Sequence, residues 1–228
     1  MSTATTTLGP DSGAPPLRQD AAVIGLVGLA HSVSHFSQLL LAPLFPWLKA
    51  EFNVSYTELG ALLTIFFVVS SGVQTASGFV VDRFGPRPVL FGGLGLLVLA
   101  ALGYASATSY AMLAVCAVVA GLGNGVFHPA DYTLLNRKVH KTRLGHAYSA
   151  HGITGTLGWA AAPALMVPMA LAGGWRLAMF SAAAVAAVVL AIVWWHRDRL
   201  ALSDAPAPAA PVAVPGVAAA PRPEGPFD

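Results

Sequence analysis

Charge is what this chain has least of. Asp, Glu, Lys and Arg make up 10% of the 228 residues, against about a quarter in a typical soluble domain. Hydrophobic residues make up 56%. So few charges cannot cover a surface that faces water, which makes the lipid bilayer the expected solvent for most of the chain. The single cysteine, Cys116, excludes a disulfide framework or a thiol–metal cluster and reads as a packing residue in an apolar run. The net charge of +2 is scattered over short loops, so no basic patch offers itself to nucleic acid. Paired carboxylates, a nucleophile with its base and a channel-filter sequence are all missing. The chain therefore reads as a non-enzyme without a cofactor. Residues 1–20 hold Arg18 as their only Lys or Arg and lack the short apolar core of a signal peptide. They are expected to be a disordered cytoplasmic N-terminus.

What the chain does have is long apolar runs. A helix crosses ~30 Å of hydrocarbon with about 20 residues, which predicts spans at 21–45, 57–80, 88–106, 109–134, 144–171 and 175–196. Pro43, Pro46, Pro129, Pro163 and Pro168 fall in or near these spans, as membrane bundles tolerate. With the N-terminus in the cytoplasm, Arg18, Arg83, Arg87, Arg137, Lys138, Lys141, Arg143, Arg197 and Arg199 lie inside, and only Lys49 and Arg176 lie outside. That asymmetry puts both termini in the cytoplasm. Trp47, Tyr56, Trp175, Trp194 and Trp195 fall near span ends, where aromatic anchors belong. Residues 200–228 are rich in Ala and Pro and are expected to be a disordered cytoplasmic tail. The predicted fold is an all-α, multi-pass protein of the cell membrane, with six transmembrane helices over 21–199.

The loop after the second span reads Gly78-Phe-Val-Val-Asp82-Arg83-Phe-Gly85-Pro-Arg87-Pro. Gly78 would let its helix approach a neighbour, and Gly85 would serve a tight turn with positive φ. Asp82 would accept hydrogen bonds from a helix N-terminus or pair with a basic loop residue. This loop resembles the cytoplasmic gate motif of the major facilitator superfamily, in Gly78, Asp82, Arg83, Gly85 and Arg87. In the fifth span Gly152, Gly155, Gly158 and Pro163 would form a smooth packing face and a bend, similar to the fifth helix of many exporters of that superfamily. Ser34-His35-Phe36, Pro43-Leu-Phe-Pro46, Phe127-His128-Pro129-Ala-Asp131-Tyr132 and His151-Gly152 are similar to the branch containing fosmidomycin-resistance-type efflux proteins. The resemblance covers about 20–200. It implies a half-bundle of two inverted three-helix repeats, N-in and C-in, completed by a second six-helix bundle. That bundle would be a second copy or a missing C-terminal half. Where family members often carry an Arg four residues before the fourth-helix Gly, this chain has Ala117 before Gly121, which removes that group from any proton coupling.

Polar groups inside a membrane span are costly and usually face a bundle interior or a wet cavity. His31, His35 and Gln38 stand at i, i+4 and i+7 and form one helical stripe near the bilayer midplane. They are candidates for the substrate cavity, or the histidines hydrogen-bond to neighbouring helices. Asn124 and Gln74 are further cavity candidates. His128, Asp131, His151 and Arg143 either line an inner vestibule as gate residues or belong to the basic loop around Arg137. Asp131, nearest that loop, is the stronger gate candidate. Zinc is not expected, because no third ligand is evident at the depth of His31 and His35. The function expected from the resemblance is secondary transport of an unidentified small molecule by alternating access, with proton-coupled efflux as one form. The other expectation is a non-transporting membrane protein, either truncated or a scaffold or regulatory subunit.

Overall fold

The computed structural model describes residues 16–202. Helices make up nearly all of this range, and there are no strands among the described residues. The expected disorder of 1–15 and 203–228 lies outside the described residues. Residues 17–20, read from sequence as part of the loose N-terminus, are instead the first turn of helix α1, and 200 closes a short 3-10 turn.

Seven α-helices follow in chain order: α1 (Leu17–Gln38), α2 (Phe45–Phe52), α3 (Tyr56–Phe84), α4 (Pro86–Ala105), α5 (Tyr110–Asn124), α6 (Phe127–Lys138) and α7 (Leu144–Trp195). Five helical runs are long and apolar enough to cross a membrane, when α1 with α2 and α5 with α6 are taken together.

Two breaks that the hydropathy pattern passes over have a common cause. Proline cannot donate to the carbonyl four residues back, and its ring clashes with that carbonyl. Pro43 and Pro46 oppose the carbonyls of Leu39 and Ala42, and the chain leaves α-helix between α1 and α2. Pro129 opposes that of Gly125, and α5 ends at Asn124. Ser77 Oγ of α3 donates to the freed Gly125 carbonyl at 3.2 Å.

Local chemistry sets the remaining ends. Ser55 and Glu58 form a reciprocal capping box at the start of α3, and Ser109 Oγ caps α5 through Met112 N. Gly85 turns the chain between α3 and α4 at φ +83°, where a side chain is disfavoured. Inside α7, Gly173 and Gly174 leave helical geometry, Gly174 at φ +85°. Residues on either side then run back along each other: Leu157, Ala161 and Leu165 share one apolar groove with Val185 and Val189.

Two apolar clusters fill the bundle. One gathers Leu44, Leu48, Leu62, Tyr104 and Met179; the other gathers Val27, Leu90, Phe127, Leu134 and Val193. Near their junction lies a polar layer contributed by α1, α3, α5, α6 and α7. At one end of the molecule Arg143 Nη1 donates to the buried Asp20 at 2.7 Å, Lys138 to the Ala201 carbonyl and Arg87 to the Arg197 carbonyl. At the other, Arg176 pairs with Glu51 at 2.8 Å and reaches the Ala107 carbonyl.

Candidate functional site

The polar layer has two parts. In the first, Asn124 closes α5 and ties three helices together. Its Nδ2 donates to the Ser34 carbonyl at 2.9 Å and to Ser34 Oγ at 2.8 Å, and its Oδ1 accepts from Ser70 Oγ at 2.8 Å. Asn124, Ser34 and Ser70 are all buried. The amide expected from sequence in a cavity is therefore a hydrogen-bonded fastener between α1, α3 and α5.

The second part is built around Asp131. The break at Gly125–Val126 re-aims α6, and Asp131 enters the core with no exposure. His31 Nδ1 and His151 Nε2 both donate to its Oδ2, each at 3.1 Å. The two rings stack with centroids 3.5 Å apart. His35 stands 4.4 Å from His31 on the next turn of α1, and His128 stands 5.2 Å from His31. Asp131 Oδ1 and both ring nitrogens of His35 are buried without a hydrogen-bond partner. Asp131 thus takes its partners from the core, and Arg143, grouped with it from sequence, pairs with Asp20.

Glycine makes room for this cluster. A Cβ at residue 155 would fall 3.0 Å from His31 Nε2 and 2.9 Å from His35 Cε1, and one at residue 158 would press into the Ser32 carbonyl. Gly155 and Gly158 therefore seat α7 against α1. Gly152, assigned to the same packing face, has open space beside it, and Pro163 is exposed. The reason is angular: three residues of helix turn through about 300°, so a three-residue repeat drifts around the surface.

The rim of the cluster is exposed. His128 Nδ1 donates to Gln74 Oε1 at 2.8 Å, and its ring stacks on Tyr132. Trp159 lies 4.5 Å from His35 and donates to Gln38 Oε1 at 2.9 Å. Trp159 was not singled out from sequence. Its signal was position, since it lies within a span whereas the anchor aromatics lie near span ends.

The structure corrects two sequence readings. Zinc was set aside for lack of a third ligand level with His31 and His35, yet the same helix break brings His128 to their depth. His31, His35 and His128 each offer a nitrogen within 4.8 Å of the others, and His31, Asp131 and His151 do the same. The loop motif also differs from expectation. Gly78 meets no neighbour within 4 Å, and Asp82 and Arg83 are exposed. Asp82 makes no ion pair among the described residues. Their helix face is left open in this bundle.

Residues 27–223 match the Major Facilitator Superfamily. The chain is 29% identical over 183 residues to the uncharacterized MFS-type transporter YfnC of Bacillus subtilis, covering 78% of this chain and 44% of that protein. It is 28% identical over 180 residues to the fosmidomycin resistance protein of Escherichia coli, covering 76% and 43%. The chain thus spans less than half the length of these relatives. Among solved structures, the peptide transporter POT in complex with sulfate superposes with a TM-score of 0.69 at 16% identity, covering 79% of this chain and 38% of that one; at that identity the likeness is one of fold. With its family match over most of its length and its apolar helices, this chain is an integral, multi-pass protein of the cell membrane and belongs to the Major Facilitator Superfamily.

Proposed function

We propose that the chain is one bundle of a secondary transporter that moves a small molecule by alternating access against a second bundle. In this reading α7 crosses the membrane twice and turns at Gly173–Gly174. The count is then six crossings in two inverted repeats of three, with both termini in the cytoplasm beside the cationic end. The observation that carries the reading is uneven burial. The most apolar window of α3 is 22% buried, against 50% for that of α4. Phe67, Val68 and Phe79 lie exposed along α3, and Ile153, Leu157 and Trp159 along α7. A second bundle, supplied by another copy or by a C-terminal half, would cover these faces and close a cavity over Gln38, Gln74, Trp159 and the histidine rim.

In that cavity the rim supplies the substrate contacts and Asp131, with His31 and His151, supplies the proton-carrying element. Asp82 forms a gate contact with the second bundle, which explains its exposure in this one. One relative is named for fosmidomycin resistance, and this supports efflux as the direction.

The test has two stages. Phe79→Cys in a Cys116→Ser background should crosslink two copies on addition of an oxidant, which reports a second copy as the partner bundle. Proteoliposomes with a trapped pH dye are then challenged with a panel of small anionic, cationic and neutral compounds. The wild type should move protons with at least one compound, and Asp131→Asn with none. A crosslinked protein that stays silent across the panel would replace this reading with a non-transporting, scaffold role.

A further inference from the structure

We propose that His31, His35 and His128 bind a divalent late transition-metal ion, with Zn²⁺ as the reference ligand. Each offers a ring nitrogen, and these nitrogens lie within 4.8 Å of one another. Zinc–nitrogen bonds of about 2.0–2.1 Å bring tetrahedral ligands closer than that, so binding draws the three rings together by roughly an ångström. Side-chain torsions on two adjoining helices can supply such a movement.

The hydrogen bonds around the cluster prepare the rings for this role. Metal-bound histidines nearly always give their other ring N–H to a carboxylate, a carbonyl or water, which fixes the tautomer. His31 Nδ1 meets Asp131 Oδ2 at 3.1 Å and His128 Nδ1 meets Gln74 Oε1 at 2.8 Å. With Asp131 as a carboxylate and Gln74 Oε1 as an amide oxygen, each imidazole donates through Nδ1 and keeps its Nε2 lone pair free. His35 is the exception, because both its ring nitrogens are buried without any partner. The His35 side chain is only partly buried, but its two unpartnered nitrogens leave a lone pair available to a ligand. Gly155 keeps the space beside His31 Nε2 and His35 Nδ1 clear, since any Cβ there would stand 3.0 Å from each.

The donor set also selects the ion. Three imidazoles without a thiolate suit Zn²⁺, Co²⁺, Ni²⁺ or Cu²⁺, and offer little to Mg²⁺ or Ca²⁺, which take oxygen ligands. Three protein ligands leave one tetrahedral position vacant, whereas structural zinc sites fill all four. His35 and His128 are only partly buried, so that position opens toward the exposed rim. The competing trio of His31, Asp131 and His151 is closed on all sides, and its carboxylate oxygen already serves both rings. Asp131 is therefore assigned as the positioning group behind His31.

Zinc binding is measured at equilibrium and does not depend on the transport reading, whose assay contains no added metal. The 228-residue chain, purified in detergent and stripped with a chelator, is titrated with Zn²⁺ against a chromogenic competitor, and with Co²⁺ while visible ligand-field bands are followed. One ion per chain and tetrahedral Co²⁺ bands are expected, with Mg²⁺ inert. His35→Gln and His128→Gln, which keep side-chain volume, should each abolish the bands. Gln74→Leu should weaken binding about 10–100-fold, as loss of an outer-shell partner does, and His146→Ala should change nothing. Thermal melting of each variant shows that it is folded. A folded wild-type chain without Co²⁺ bands overturns the site, and so do bands that survive both His35→Gln and His128→Gln.

Discussion

Asn124 and Asp131 stand seven residues apart on the same broken span, both buried and both bonded to α1, yet they solve the burial problem differently. Asn124 is neutral, and its amide nitrogen and oxygen both meet groups of suitable polarity. Each such bond contributes on the order of 1 kcal/mol, and no buried side-chain atom of Asn124, Ser34 or Ser70 is left without a partner. Asp131 is a fully buried carboxyl group among histidines, where one oxygen serves two of them and the other serves none. A packing solution does not leave orphaned lone pairs beside imidazoles, because an unpaired buried polar group costs about 1–3 kcal/mol. The first network is a fastener, and the second is the candidate site.

This contrast sets four expectations. The largest effect comes from the seat of α7 on α1, beside the histidine cluster. Gly158→Ala places a Cβ against the Ser32 backbone, and because backbone cannot swing aside, the cost should reach about 3 kcal/mol. The melting temperature in detergent should fall steeply and the Co²⁺ bands should vanish, whereas Gly152→Ala, with open space beside it, should leave both intact. Equal behaviour of the two variants would break the account of how α7 sits on α1.

Next, Asn124→Ala should destabilise by about 2 kcal/mol, because the Ser34 and Ser70 groups lose their partner. Metal binding by the folded fraction should be unchanged. A loss of zinc affinity as large as that of His35→Gln would merge the two networks into one.

Asp131→Asn separates them by sign. Asn keeps an acceptor for His31 and His151 but removes an incompletely paired buried charge, so stability should hold or rise by about 1 kcal/mol while proton movement in proteoliposomes stops. Destabilisation as large as that of Asn124→Ala would make Asp131 a fastener too. The smallest effect is expected at Asp82. It is exposed and makes no ion pair among the described residues, so Asp82→Asn should shift stability within about 0.5 kcal/mol. Transport should nevertheless slow, because the proposed function places its gate contact on the second bundle.

Part of the site was legible from spacing. His31, His35 and Gln38 share a helical stripe because 3.6 residues make a turn, and the structure keeps them on one side of α1. What spacing could not show was the company each residue keeps. His128, Asp131 and His151 were read as belonging to the inner vestibule or the basic loop, and for His128 and Asp131 the cause is a break that hydropathy passes over. The break before Pro129 turns that segment so that its polar residues meet those of α1. Asn124 and Asp131 looked alike as intramembrane polar groups, and only their partners tell a fastener from a site.

Composition and hydropathy alone determined that this chain lies in a membrane as a set of helices. With charge at 10%, no other solvent suits it, and backbone groups in hydrocarbon must bond within their own segment. The motif loop and its cationic end pointed from sequence to the superfamily. The tertiary structure decided which glycines bring helices together, which prolines break them, and which polar residues share a partner. These outcomes depend on angles about the helix axis and on small displacements between elements, and a linear pattern records neither.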